Sequence, residues 1–110
     1  MFIQTEQMPD PMRMKFFPGS KVLNTGILEF TDEKTAKDSP LAKRIFDVEG
    51  VSSVLLCEDF LIVVKADLFD WQQMKPMILG AIMDHYNSGD QTINQTNNSK
   101  MDEELELALS

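Results

Sequence analysis

Cys57 is the only cysteine and His85 the only histidine in this chain of 110 residues. A thiolate and an imidazole can bind a transition metal or act as nucleophile and base, but either use needs convergent partners. Cys57 ends an apolar run and reads first as a small hydrophobic side chain at a hairpin end. His85 falls near the C-terminus of a helix, where the dipole favours an imidazolium. No metal site is expected in this chain, and Cys57 and His85 are only weak metal candidates. The acidic pairs Asp32-Glu33 and Glu58-Asp59 could bind a hard cation through oxygen. Turn chemistry accounts for them more simply, and neither has the spacing of an EF-hand loop. There is no G-x-S-x-G and no phosphate-binding glycine loop, so enzymatic activity is not expected.

Residues 5–19, TEQMPDPMRMKFFPG, are better suited to presenting a surface. Met8 and Asp10 each precede a proline and are pushed toward extended conformations. Pro9 and Pro11 have fixed φ and no N–H, which stiffens the loop and stops it continuing a sheet. Met8 and Met12 flank the loop; burial in the core is the first reading of both, and flexible, adaptable contact surface for a partner the second. Arg13 and Lys15 point away from the apolar side of the following strand, toward solvent or an acidic partner. The expected partner-binding set is therefore Met8, Pro9, Asp10, Pro11, Met12, Arg13 and Lys15.

The elements that hold this loop follow from periodicity. Phe2, Ile3 and Thr5 suit a first strand, and Met12, Met14 and Phe16 give a second one an apolar face. Pro18-Gly19 fits the centre of a type II turn. An extra edge strand is possible around residues 27–30, and residues 31–38 read as a charged loop. Ser39-Pro40 caps and starts a helix whose inner face carries Leu41, Ile45 and Val48, with Gly50 as its stop. Residues 51–57 and 60–66 form a hairpin about Glu58-Asp59. Asp70 with Gln73 resembles a capping box for a second helix striped by Trp71, Met74, Ile78, Ile82 and His85. Pro76 falls inside that helix and is expected to bend its first turns. The expected fold is α+β, in the order β-β-α-β-β-α. Three or four mostly antiparallel strands carry both helices on one face.

Residues 1–89 read as one domain and residues 90–110 as a polar, acidic linker or tail, expected to be disordered. The domain carries 13 acids against 9 bases and the tail 5 against 1, for a net charge of −8. That balance disfavours nucleic acid as a partner. The longest apolar runs are far short of a membrane span, and no secretory leader is evident, so a cytoplasmic setting is expected.

With TEQMPDPMRMKFFPG come SPLAKRIFDVEGVSSV, EDFLIVVK and WQQMKPMILGAIMDHYNSG, in that order. Together they resemble the N-terminal domain of Nfu-type (NifU-like) iron–sulfur cluster scaffold proteins, across residues 1–89. The family pattern Thr-Pro-Asn-Pro stands here as Met8-Pro9-Asp10-Pro11, which exchanges a hydroxyl for a thioether and adds a charge. The resemblance implies a part in cluster assembly and delivery, with a scaffold, a cochaperone or client apoproteins as partners. It also implies that the iron–sulfur cluster is held by a C-x-x-C pair in a separate C-terminal domain, and that this domain binds no cofactor itself. A monomer is expected for the domain alone, in a bacterial cytoplasm or a mitochondrial matrix. The alternatives are direct weak iron or cluster binding through Cys57, His85 or the acidic pairs, and a standalone regulatory or small-ligand module.

Overall fold

The computed structural model describes residues 2–89 and Thr92, so the expected tail lies almost wholly outside the described residues. Five strands form one sheet: β1 (Gln4–Gln7), β2 (Arg13–Phe17), β3 (Leu28–Phe30), β4 (Val51–Leu56) and β5 (Leu61–Lys65). Their spatial order is β1-β2-β5-β4-β3, and every pairing is antiparallel. Two α-helices, α1 (Pro40–Phe46) and α2 (Trp71–Ser88), complete the α+β arrangement.

The register explains why one face became the core. Met14 lies opposite Val63 and Phe16 opposite Leu61, while Val54 and Leu56 flank the same two β5 residues from the other side. All six side chains are buried, as the two-residue period of a pleated strand requires. Leu41, Ala42 and Ile45 of α1 and Met74, Ile78 and Ile82 of α2 close over them in one apolar cluster. Each of the larger aliphatic side chains contributes about 1.5–3 kcal/mol by leaving water.

Helix α1 starts where a hydroxyl cap and an N1 proline direct it. The Ser39 hydroxyl accepts the Ala42 N–H at 3.1 Å and donates to the Thr92 carbonyl at 2.6 Å. Such a cap stabilises a helix by about 1 kcal/mol. Helix α2 runs unbroken through Pro76, whose ring is exposed, and ends at Gly89 in the left-handed conformation. The Asp70 carboxylate caps it by accepting the Gln72 N–H at 3.1 Å.

Several local expectations need correction. The sheet has five strands, because residues 28–30 pair fully with β4 instead of remaining an optional edge. The first strand begins at Gln4, and Phe2 stands exposed beyond it. Residues 31–38 include a 3-10 turn at Thr35–Asp38, seeded when the Asp32 carboxylate accepts the Thr35 N–H at 2.8 Å. Helix α1 ends at Phe46, four residues before Gly50. Gly50 serves a separate turn with φ +100°, followed by a register shift between Val51 and Ser53.

Candidate partner-binding site

The proline loop is built by its own side chains. Asp10 folds back so that its carboxylate accepts the Met12 N–H at 2.9 Å, while its carbonyl accepts the Arg13 N–H at 3.0 Å. The Arg13 guanidinium closes on the same carboxylate at 3.4 Å. Asp10 thus shapes the loop from within. From outside, the Trp71 indole N–H donates to the Pro11 carbonyl at 2.8 Å, and the Lys65 N–H donates to the Met12 carbonyl at 2.8 Å. Two proline rings and two external hydrogen bonds leave the backbone little freedom.

Facing this loop is the β5–α2 connection, residues 66–70. It is fixed by the Ala66 N–H, which donates to the Gly50 carbonyl at 2.8 Å, and by Phe69, whose side chain packs against Gly50. A Cβ on Gly50 would come within 2.7 Å of the Phe69 ring, so only glycine lets the ring sit there.

Between the two connections lies an open surface groove of about 540 Å³. That size falls within the range of small-ligand and side-chain pockets, roughly 300–1,000 Å³. Met8, Pro9 and Pro11 form one wall; Leu68, Phe69 and Trp71 form the other. Lys65, Asp67 and Asp70 supply its charges. The Lys65 ammonium reaches the Met12 thioether sulfur at 3.5 Å. Leu68 is 95% exposed, an apolar side chain at the lip with almost no cover from its own chain. Trp71 also packs tilted against the core ring of Phe16, with centroids 6.5 Å apart, which ties the wall to the sheet.

The expected partner-binding residues divide into two groups. Met8, Pro9 and Pro11 line the groove, and Asp10 and Met12 brace it. Arg13 braces the loop as well, through its ion pair with Asp10, while Lys15 stands on the sheet face opposite the helices, held 4.9 Å over the Phe60 ring. Lys65, Asp67, Leu68 and Phe69 were not singled out by sequence reasoning. The exposed apolar Leu68 between Asp67 and Phe69 was the available signal, a hydrophobic pair in a connection too short to bury both.

The metal candidates are separated and structurally committed. Cys57 is buried at the β4–β5 turn, with its N–H donating to the Phe60 carbonyl at 2.9 Å. Burial raises its thiol above the ordinary value, and nearby Lys15 only partly offsets that, so the thiolate is disfavoured. His85 is 1% exposed on the inner stripe of α2, in the last turn of that helix, and lies edge-on to Tyr86 at 5.1 Å. The Asp32 carboxyl is held below its usual range by the Thr35 N–H. Glu58 accepts Val22 N–H through its carbonyl at 2.7 Å and Gly26 N–H through its carboxylate at 3.3 Å, and Asp59 pairs with Lys21 at 3.8 Å. Among the described residues no three His, Cys, Asp or Glu side chains converge. One buried, neutral thiol does not fit an iron–sulfur cluster, which ordinarily uses four thiolates.

Residues 3–89 match the family model for the N-terminal part of the scaffold protein Nfu/NifU. The chain belongs to this Nfu/NifU N-terminal family. Over 89 residues it is 43% identical to NifU-like protein 4, mitochondrial, of Arabidopsis thaliana, which covers 81% of this chain and 31% of that protein. Over 90 residues it is 44% identical to the human NFU1 iron-sulfur cluster scaffold homolog, mitochondrial, covering 81% and 35% respectively. The solution structure of a NifU-like protein from Saccharomyces cerevisiae superposes with a TM-score of 0.66 at 28% identity, over 84% of this chain and 83% of that one. The Nfu/NifU chain described here spans about a third of the length of the curated relatives it matches. No helix among its described residues is long and apolar enough to cross a membrane.

Proposed function

We propose that this Nfu/NifU N-terminal domain takes part in iron–sulfur cluster assembly and delivery as a recognition module, not as the site that holds the cluster. The pocket between the proline loop and the β5–α2 connection binds a scaffold, a cochaperone or a client apoprotein. The observation that carries this reading is the pre-formed pocket itself: two connections fixed by hydrogen bonds, leaving apolar side chains unfilled between them. A pre-ordered site loses little conformational entropy on binding. The names of its relatives, both mitochondrial, support residence in that compartment.

The domain catalyses nothing and binds no cluster in this reading; its lone buried thiol supports that. Anaerobic reconstitution with iron and sulfide tests it. A colourless protein is expected, and visible charge-transfer absorption would overturn it. The recognition role is tested by calorimetric titration of a client apoprotein against wild type, Pro9→Ala and Asp10→Lys. Both variants should bind several-fold more weakly while melting within a few degrees of wild type. Unchanged affinity in both would remove the proline loop from the binding site.

A further inference from the structure

We infer that the pocket receives a segment of another protein in which a bulky apolar side chain stands beside a lysine or arginine. This rests on the pocket being a recognition site and adds the chemistry of what enters it. The apolar half of the requirement comes from the lining. Met8, Pro9, Pro11, Leu68 and Trp71 present carbon and sulfur surface, and Leu68 at the lip is 95% exposed. Covering such surface is favourable in proportion to its area.

The basic half comes from charge. The pocket has two carboxylates, Asp67 and Asp70, against one ammonium, Lys65. The ammonium is turned to the Met12 sulfur. Asp70 faces the positive end of α2 and gives one oxygen to the Gln72 N–H, so part of its charge is already balanced. Asp67 is exposed and adjoins Leu68. It is therefore the group that discriminates, meeting a cation beside whatever apolar side chain packs on Leu68. The surrounding domain, with 13 acids and 9 bases in residues 1–89, steers in the same direction. A second copy of this chain is a poor occupant: an entering Leu68 would bring its own Asp67 against the resident one.

Trp71 is the only tryptophan and forms a wall of the pocket, so its emission reads occupancy without a label. The full chain is titrated with three synthetic peptides of the same length, centred on Lys-Phe-Lys, Asp-Phe-Asp and Lys-Ala-Lys. The first should shift Trp71 emission saturably. The other two should bind at least about tenfold more weakly, or about 1.4 kcal/mol. Asp67→Lys, an exposed change checked for folding by circular dichroism, should abolish or reverse the charge preference. Leu68→Ser should weaken all three peptides, and added salt should narrow the gap between the first two. Equal binding of the Lys-Phe-Lys and Asp-Phe-Asp peptides, or no saturable binding, overturns the inference. Concentration-dependent dimerisation in the ultracentrifuge that Leu68→Ser abolishes would assign the pocket to a second copy and also overturn it. If Pro9→Ala still weakens client binding while the peptides show no charge preference, the recognition role stands and only this inference fails.

Discussion

The two ends of the sheet solve the same problem in opposite ways. At one end the β4–β5 turn carries Cys57, Glu58 and Asp59, and the loop after β2 comes back over it. The Val22, Leu23 and Gly26 N–H groups all donate to Glu58, and Lys21 pairs with Asp59. Polar capacity there is largely committed to holding chain to chain. At the other end Asp10, Asp70 and the Trp71 indole shape the two connections by hydrogen bonds, while Met8, Pro9, Pro11 and Leu68 present apolar surface to the open space between them. The lone thiol and the Glu58-Asp59 pair therefore mark a structural end, whereas proline, methionine and tryptophan, with Asp67 beside Leu68, mark the end that is available to a partner.

The largest effect that sharpens this contrast is Gly50→Ala. A side chain at φ +100° is strained, and its Cβ would meet Phe69 at 2.7 Å, so a loss of about 2–3 kcal/mol is expected in urea denaturation. The displaced Phe69 should also weaken binding at the pocket, linking stability and recognition at that end. Trp71→Phe keeps an aromatic wall but removes the donor to Pro11, and should cost about 1 kcal/mol while loosening the proline loop, read by amide exchange at Met12 and Arg13.

At the opposite end, Glu58→Gln should change stability by less than about 0.5 kcal/mol. Its carboxylate contact to Gly26 is long and exposed, and the stronger bond from Val22 goes to the Glu58 carbonyl. Binding at the pocket should not change; a loss there would break the division between the two ends. The last expectation is a sign. Burial raises the Cys57 thiol above 9.0 and the Tyr86 phenol above 10.0. The unfolded chain therefore releases these protons first, so stability is retained below those values and falls as pH rises above about 9. Denaturation midpoints measured from neutral to alkaline pH should decline, and a rise would reverse the assignment.

Most of the fold was legible because its signals are local. The Met12-Met14-Phe16 alternation, the Ser39-Pro40 start, the two-residue turn at Glu58-Asp59 and the Met74-Ile78-Ile82 stripe all depend on neighbours within a few positions. Boundaries failed at turns: α1 stops at Phe46 although Gly50 offered a later end. The Val48 N–H donates to the Ile45 carbonyl in a tighter turn, and Gly50 serves a separate turn against Phe69. Residues 28–30 became a full strand only because β4 offers a partner edge. The pocket was half legible. Its proline wall announces itself in sequence, but the opposing wall lies some sixty residues away, and no local pattern ties Leu68 and Trp71 to Pro11. Lys15 follows the loop in sequence yet belongs to the other face of the sheet, as strand alternation dictates, whereas the Arg13 guanidinium turns back to Asp10.

The hydrogen bond from Trp71 to Pro11 joins positions 60 residues apart. Closing so long a loop costs entropy that short-range contacts do not repay, so the junction forms together with the sheet it sits on and not before it. The pocket has no existence in either half of the chain. Tryptophan emission and the helical circular dichroism signal should accordingly disappear in a single coincident transition, making occupancy of the pocket and completion of folding two readings of one cooperative event.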